Sequence, residues 1–233
     1  MAHAMNTDRS RPTETDPWET AYARFETPAQ EIRKFTRRLG KLGAANWPRD
    51  ADVVELFCGR GNGLHALSNL GFKRIEGVDL SPSLVAQYQG PARLYVGDCR
   101  QLPFAARSKD IVIVQGGLHH LTSLPQDLEQ TLAETSRILR EHGLLAVVEP
   151  WLTPFLAMVH RVCRSKITRR MIPKIDAFAT MVEFEGEIYT RWLAQPESIL
   201  SLFTRFFHEE FHSIGWGKCL YVGRNLAWRG ENR

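Results

Sequence analysis

Short apolar runs alternate with segments of helical periodicity between Ala51 and Val148, and this alternation constrains the fold more than any other feature of the chain. Strands are predicted at 51–57, 74–78, 92–96, 110–114 and 144–148, with helices at 62–70, 82–89 and 124–140 between them. Strands and helices that alternate at such short spacing favour a parallel sheet covered on both faces. The chain is therefore predicted to be an α/β protein with a doubly wound, mostly parallel sheet.

The segments on either side of this region are predicted to be of different kinds. Residues 1–17 are polar and contain proline, which is typical of a flexible tail. Residues 18–43 carry apolar side chains at helical spacing and are divided by Pro28, so two short helices are predicted there as a helical lid. Residues 151–195 break the rhythm and are predicted to form a substrate cap inserted after the fifth strand. Residues 18–233 are predicted to form a single domain.

The end of the chain supplies three more predicted elements. A helix is predicted at 197–203, and strands are predicted at 206–214 and 218–227. The link Gly215-Trp216-Gly217 between the two strands favours a tight antiparallel return. These strands bring the predicted sheet to seven.

Composition limits the function classes that need to be considered. The formal net charge of +4 is too small to indicate a nucleic-acid partner and disfavours one. No apolar run is long enough to span a bilayer. The four cysteines are scattered without a C-x-x-C pair, which favours reduced thiols and a cytoplasmic location.

A glycine-rich segment follows the first predicted strand and opens the first predicted helix, reading Glu55-Leu-Phe-Cys-Gly59-Arg-Gly61-Asn-Gly63. Glycine lets the backbone turn sharply and approach a ligand closely. The free N–H groups at the start of the following helix can meet a negative or polar group. Because ordinary tight turns also contain glycine, this loop by itself is a weak indication of a ligand site.

Two aspartates follow the next two strands and strengthen the indication. Asp79 ends the second predicted strand, where a carboxylate can accept both hydroxyl hydrogens of a ribose. Asp98 follows the third strand and can accept a hydrogen bond from the exocyclic amino group of an adenine. Ligands of open α/β sheets bind at the carboxyl ends of the strands, where the loop and both aspartates are predicted to lie.

Over about Ala51–Pro150 the chain resembles the class I S-adenosylmethionine (SAM)-dependent methyltransferases, in particular the small-molecule enzymes similar to ubiquinone and menaquinone biosynthesis methyltransferases. The family's first motif, acidic-x-Gly-x-Gly-x-Gly, falls on the loop, with Phe57 in place of the usual first glycine. The segment GDCRQLPF around Asp98 looks like the family's GDA-x-x-LPF. The resemblance implies SAM as cofactor and a seven-stranded sheet whose last strand is antiparallel. It assigns cofactor binding to Glu55, Gly59, Gly61, Asp79, Leu80, Asp98, Cys99 and Gln115.

The transfer step needs an acceptor site and, for a hydroxyl or an acidic carbon, a general base. His119 and His120 follow the fourth strand and Glu149 ends the fifth, so these three residues are the candidate catalytic groups. Tyr22, Phe25 and Trp151 are the candidate substrate contacts. No metal is predicted, because adjacent histidines point in different directions and no carboxylate flanks them in the sequence.

The acceptor itself is left open by the sequence. A small or medium-sized organic molecule is predicted, with oxygen as the first choice of target atom, followed by carbon or nitrogen. A basic cluster in the insert (Arg161, Arg164, Lys166, Arg169, Arg170 and Lys174) is either a solvated helix face or a contact for an anionic acceptor.

Three alternative functions were weighed. A nicotinamide dehydrogenase would show the spacing G-x-G-x-x-G, whereas these glycines follow G-x-G-x-G. An RNA or protein methyltransferase and a SAM-binding regulatory protein without catalysis both stay open. Methylation of a base amino group is disfavoured, because Gln115-Gly116-Gly117-Leu118 stands where an NPPY-like tetrad would follow the fourth strand.

Overall fold

The computed structural model describes residues 17–226, with side chains from Thr20 onward. It begins with two helices, α1 (Pro17–Phe25) and α2 (Pro28–Lys41), as the sequence predicts. Thr27 separates them: its hydroxyl accepts a hydrogen bond from the Gln30 backbone N–H, and the Gln30 side chain accepts one from the Thr27 N–H. This reciprocal cap, with Pro28 in the first turn, fixes the start of α2. The predicted tail, apart from Pro17, lies outside the described residues.

Seven strands form one sheet with the order β3-β2-β1-β4-β5-β7-β6. The bounds of the strands are β1 Asp52–Leu56, β2 Arg74–Asp79, β3 Arg93–Val96, β4 Lys109–Gln115, β5 Leu139–Pro150, β6 Phe207–Gly215 and β7 Lys218–Asn225. Pairings among β1 to β5 are parallel, and β7 is antiparallel to both β5 and β6. The predicted α/β fold and its antiparallel last strand are confirmed.

Helices cover both faces of this sheet. They are α3 Asn62–Asn69, α4 Pro82–Val85, α5 Gln126–Ile138, α6 Pro154–Cys163, α7 Lys166–Met171, α8 Pro173–Leu193 and α9 Pro196–Phe206. Successive residues of β1 point to opposite faces of the sheet. Val54 belongs to the same apolar cluster as Leu128 of α5, and Val53 belongs to the cluster that contains Leu64 of α3. Because both faces of a central strand are buried, β1 reads as a continuous apolar run.

Two helix predictions are too long. The helix predicted at 82–89 is the single turn α4, and the helix predicted at 124–140 ends at Ile138. The second difference arises because Leu139 is fully buried and pairs with Lys109 of β4, which turns the chain into β5 earlier than expected. Gly143 therefore lies within β5.

The insert consists of the helices α6, α7 and α8. Thr153 and Ser165 cap α6 and α7 through their side chains. Helix α8 is kinked at Gly186, whose φ of 51° and ψ of −117° are not helical. Helix α8 also packs against α1, so the insert and the N-terminal segment meet over the carboxyl end of the sheet. Within the described chain, no helix is long and apolar enough to cross a membrane.

Candidate functional site

The glycine-rich loop after β1 turns with left-handed backbone geometry. Gly59 has a φ of 52° and Gly61 a φ of 80°. Gly61 is the N-cap of α3, and a Cβ atom there would lie 2.2 Å from the ring of Tyr88, so only glycine fits. The loop thus presents the start of α3 to the carboxyl edge of the sheet, where backbone N–H groups can bind a polar ligand.

Asp79 ties this loop to the end of β2. One carboxylate oxygen accepts a hydrogen bond from the Gly59 backbone N–H at 2.7 Å, and the other accepts one from the Ser81 N–H at 2.9 Å. Each carboxylate oxygen has a second lone pair for a further donor. Asp79 therefore both holds the loop and can bind a ligand hydroxyl beside it. The next residue, Leu80, is 70% exposed, so its apolar side chain can pack against a flat apolar group of a ligand.

Phe57 has left-handed backbone geometry at the position where the family's motif has its first glycine. Its φ is 56°, in the left-handed region that non-glycine residues rarely adopt. Its half-buried ring packs against Gly117, where a Cβ atom would lie 2.2 Å from the Phe57 Cγ. The substitution therefore keeps the path of the loop and fills the space between the loop and the end of β4 with an aromatic ring.

Glu55 and Gln115 form a buried polar pair behind the loop. The Gln115 Nε2 donates to Glu55 Oε1 at 3.1 Å, while Glu55 Oε2 and Gln115 Oε1 are buried without a hydrogen-bond partner. Loss of hydration on burial raises the pKa of Glu55 to about 8. A cationic donor would satisfy both oxygens, so this pair suits the ammonium group of a bound ligand.

Asp98 lies beyond β3 and is held by Arg100. The guanidinium donates to both carboxylate oxygens at 2.7 to 3.1 Å, and its other branch reaches Asp127 at 2.9 Å. These hydrogen bonds from Arg100 lower the pKa of Asp98, so the carboxylate stays ionised and can accept a further hydrogen bond. The neighbouring Cys99 is buried and contacts the Thr131 hydroxyl, and burial raises the pKa of its thiol to about 11.

His119 and Glu149 are joined at the ends of β4 and β5. Glu149 Oε2 lies 2.7 Å from His119 Nδ1, while its Oε1 accepts hydrogen bonds from the Gly117 and Leu118 backbone N–H groups at 2.8 Å. Burial disfavours the imidazolium, but the charge and hydrogen bond of Glu149 outweigh that effect, so the pKa of His119 is raised. The carboxylate therefore orients the imidazole and leaves Nε2 facing the insert.

The His120 ring lies tilted against that of His119, and Glu185 approaches from α8. The two imidazole rings are 4.1 Å apart, and burial together with the charge of His119 lowers the pKa of His120 to about 3. Glu185 Oε2 lies 3.8 Å from His119 Nε2. The sequence predicts no carboxylate beside the histidines. In the structure the kinked α8 brings the carboxylate of Glu185 next to them. His119, His120 and Glu185 each place one possible ligand atom within 4.8 Å of the other two, and such a group could hold a metal ion.

The N-terminal helices are anchored to the loop by Glu31, a fully buried carboxylate of α2. Its side chain accepts hydrogen bonds from Tyr22 of α1, from Asn62 at 2.5 Å and from Arg60 at 3.3 Å. The guanidinium of Arg60 also lies over the Tyr22 ring, 5.0 Å from its centre. Glu31 therefore connects the predicted lid directly to the glycine-rich loop.

The other predicted lid residues face the insert. The Phe25 ring lies 5.9 Å from the ring of Phe178 in α8. Arg24 is half exposed and donates to Asp176 at 2.8 Å. The lid is thus held by contacts to both the loop and α8.

Trp151, predicted to contact the substrate, is buried in the core with its ring 6.3 Å from that of Trp192. Elsewhere in the insert, two adjoining cavities have volumes of about 400 and 430 Å³. Both are lined by Leu152, His160 and Arg164, and the larger one extends to Tyr189 between α6 and α8. The Tyr189 ring in turn lies 5.9 Å from the His119 ring, so the larger cavity leads towards the histidines.

Sequence reasoning missed three residues of this site. Arg100 follows Asp98 by two positions, and this local D-x-R pattern could have indicated a pair. Glu31 and Glu185 gave no such signal, because each stands in a helix among other charged residues and meets its partners only through tertiary contacts.

Comparison with known proteins agrees with the geometry. The family profile of the methyltransferase domain matches residues 54–147. No curated protein sequence matches the chain.

Among solved structures, the PH0226 protein from Pyrococcus horikoshii OT3 is similar with a TM-score of 0.67 and 17% identity, covering 91% of this chain and 99% of that one. Geranyl diphosphate C-methyltransferase from Streptomyces coelicolor A3(2), solved with Mg²⁺, geranyl diphosphate and S-adenosylhomocysteine, is similar with a TM-score of 0.58 and 14% identity, covering 92% and 86%. The N-methyltransferase NodS from Bradyrhizobium japonicum WM9, solved with S-adenosylhomocysteine, has a TM-score of 0.59 and 14% identity, covering 91% and 100%. At these identities the likeness shows a shared fold.

The residues present fit SAM as the bound group. The ammonium group of its methionine part can donate hydrogen bonds to the unsatisfied side-chain oxygens of Glu55 and Gln115. The Asp79 carboxylate, beside the loop, can accept hydrogen bonds from the ribose hydroxyls. The matched family domain covers β1 to β5, which carry these residues. Residues 54–147 are therefore a methyltransferase domain on a class I type of fold, and the chain is an enzyme whose cofactor is S-adenosylmethionine.

Proposed function

We propose that this methyltransferase acts on a small or medium-sized organic acceptor that has an apolar part and an anionic group, and that it methylates an oxygen atom of that acceptor. The observation that carries the proposal is the larger cavity of the insert, about 430 Å³, which extends to Tyr189 beside His119. A volume of this order suits a small organic molecule.

The lining of the cavities defines the chemistry of the acceptor. The larger cavity has apolar walls from Leu152, Ala179, Val182 and Leu193, which favour an apolar body. The smaller cavity adds the guanidinium of Arg161 to that of Arg164, and both side chains are exposed at its mouth. Since guanidinium groups bind carboxylates and phosphates through paired hydrogen bonds, we infer an anionic group at this end of the acceptor.

The catalytic step follows from the His119–Glu149 pair. When bound at Glu55 and Asp79, SAM would supply an electrophilic methyl carbon to the acceptor oxygen, and its sulfur would keep the electron pair of the broken carbon–sulfur bond. His119 Nε2 takes the proton of the acceptor hydroxyl. Glu149, which is buried and uses both oxygens within the protein, holds the imidazole and stabilises its charged form. Glu149 is thus a positioning residue.

His119 is better suited to this role than His120. The lowered pKa of His120 makes it a weak base near neutral pH, whereas the pKa of His119 is raised. Hydroxyl oxygen is the target atom that needs such a base most, because a neutral amine reacts before it loses its proton. The likeness to ubiquinone and menaquinone methyltransferases stays a prediction from the sequence.

One protein of similar fold was solved with a small organic molecule of this kind. Geranyl diphosphate, present in the structure of the Streptomyces coelicolor C-methyltransferase, combines an apolar chain with an anionic end. NodS is an N-methyltransferase, so the fold also serves other target atoms. The proposal of oxygen therefore depends on the His119–Glu149 pair of this chain.

Transfer of a labelled methyl group from SAM into a metabolite extract tests the proposal. We expect label in an acidic, alkali-extractable small molecule. His119→Asn should lower kcat by a factor of about 10² to 10⁴ with the cofactor Kd unchanged. Arg164→Gln should raise the KM for the acceptor with little change in kcat, and the exposed Arg33→Gln serves as the charge-matched control. Label found only in protein or RNA, or full turnover by His119→Asn, would contradict the proposal.

A further inference from the structure

The insert carries an unusual surface on α6 and α7. Residues 161–174 contain six cationic side chains and no acidic one. Arg169 is used inside the insert, where it pairs with Asp176 and Glu183. The remaining five side chains, which are Arg161, Arg164, Lys166, Arg170 and Lys174, are all exposed. Of these, Arg161, Arg164, Lys166 and Arg170 make no ion pair with any residue that the structure describes. The positive charge of this face is thus not neutralised within the described fold.

Large apolar side chains stand exposed among these cations. On α7, Ile167 and Met171 are each 74% exposed, and they lie four residues apart on one side of the helix. On α6, Met158 is 55% exposed, and Leu152 just before the helix is 53% exposed. Exposed single apolar residues are common, but a group of them interleaved with cations on two consecutive helices marks an interaction surface.

The turn between β6 and β7 adds an aromatic side chain to this surface. Trp216 is 78% exposed, and its ring lies 5.2 Å from that of Phe155 at the start of α6. Its φ is 51°, a conformation that favours glycine or asparagine in a two-residue turn. Most of this side chain lies outside the described core. A strained and exposed tryptophan is consistent with a binding role.

We propose that this face, formed by α6, α7 and the Trp216 turn, docks the protein on an anionic phospholipid membrane. The charges attract acidic headgroups, each Lys or Arg near such a surface strengthening binding by about fivefold. Trp216 sits between headgroups and acyl chains, the preferred place of an indole ring. The apolar side chains enter the same boundary without crossing the bilayer, as in interfacial helices.

The position of the face relates it to the cavity that the proposed function uses. Leu152, Arg161 and Arg164 belong both to the face and to the lining of the smaller cavity. An acceptor dissolved in the membrane would therefore enter the insert directly from the lipid. This consequence rests on the proposed function, whereas docking itself does not.

Vesicle binding by the full chain tests the docking. The protein is sedimented with vesicles of phosphatidylcholine alone and with vesicles that also contain phosphatidylglycerol. We expect binding only to the anionic vesicles, with affinity that falls as salt rises. Lys166→Gln with Arg170→Gln should weaken binding by more than tenfold. Arg33→Gln with Arg37→Gln removes two exposed arginines of α2 and should leave binding unchanged.

A second variant tests the apolar contribution. Trp216→Ser should weaken binding and remove the fluorescence quenching caused by brominated lipids, whereas Phe211→Ser, at an exposed position of β6, should do neither. Equal binding by all variants, no binding to anionic vesicles, or binding to an acidic polypeptide instead would overturn the proposal. Because no acceptor or cofactor is needed, these results are independent of the methyl-transfer test.

Discussion

Substitution of Phe57 measures how much strain the cofactor loop contains. Phe57 has a φ of 56°. In this left-handed conformation a residue with a Cβ atom is less stable than glycine by about 1–2 kcal/mol. Its half-buried ring packs against Gly117 and the core, and we take its burial to stabilise the fold by about 2 kcal/mol. Phe57→Ala loses the ring and keeps the strain. Phe57→Gly loses the ring and relieves the strain.

The comparison between these two variants isolates the backbone. Elsewhere glycine is less stable than alanine by about 0.5–1 kcal/mol because of its larger entropy in the unfolded chain. At position 57 the relief of strain exceeds that loss, so Phe57→Gly should be more stable than Phe57→Ala by about 0.5–1 kcal/mol. Both variants should be less stable than the native protein, because neither replaces the contacts of the ring.

Urea unfolding followed by fluorescence gives the required free energies, with unchanged m-values as the condition for comparison. Phe35 provides the matched control, because it is also half buried but lies in α2 with ordinary helical geometry. There Phe35→Gly should be less stable than Phe35→Ala by about 1 kcal/mol. The same order at both positions would show that the loop is not strained at Phe57 and would refute the reasoning.

Three further predictions concern charged groups. The pKa of Glu55 is about 8, and a cationic ligand favours its ionised form. The affinity for SAM should therefore fall by up to tenfold for each pH unit below pH 8. Calorimetry on Glu55→Gln should show no such pH dependence. Asp79→Asn should weaken SAM binding by a factor of about 10 to 100, while the exposed Asp50→Asn leaves the Kd unchanged; equal Kd values would contradict the assignment of Asp79. Burial lowers the pKa of Lys218 from 10.5 to about 7. Between these two pH values the unfolded chain binds more protons than the folded protein. The free energy of unfolding should therefore rise with pH in this range, by at most about 1.4 kcal/mol per pH unit. Lys218→Met should remove that rise in unfolding experiments and the exposed Lys73→Met should not; a parallel pH profile for both variants would rule out the effect of burial.

The cofactor side of the site was predictable because its signals are local. Glu55, Gly59, Asp79 and Asp98 each stand at or just after the end of a predicted strand. In a parallel sheet those ends meet at one edge, so the sequence order alone brings the residues together. The structure places all of them there, although their contacts with SAM stay predictions until binding is measured.

The acceptor side was predictable only in part. The histidines and Glu149 were placed at the correct edge, but their roles were not separable by sequence. The difference between His119 and His120 depends on which imidazole meets Glu149 and how deeply each is buried. Trp151 was predicted to contact the substrate, yet its ring packs into the core.

The sequence by itself determined the sheet, the order of its strands along the chain and the cofactor edge, because these follow from apolar periodicity and from residues at strand ends. Only the tertiary structure decided how the lid and the insert meet that edge. Glu31 joins α1 to the loop, Glu185 reaches His119 across a kink, and α7 leaves Ile167 and Met171 exposed. Such contacts join residues far apart in the chain, and the packing of whole helices fixes them, so no local pattern of residues can encode them.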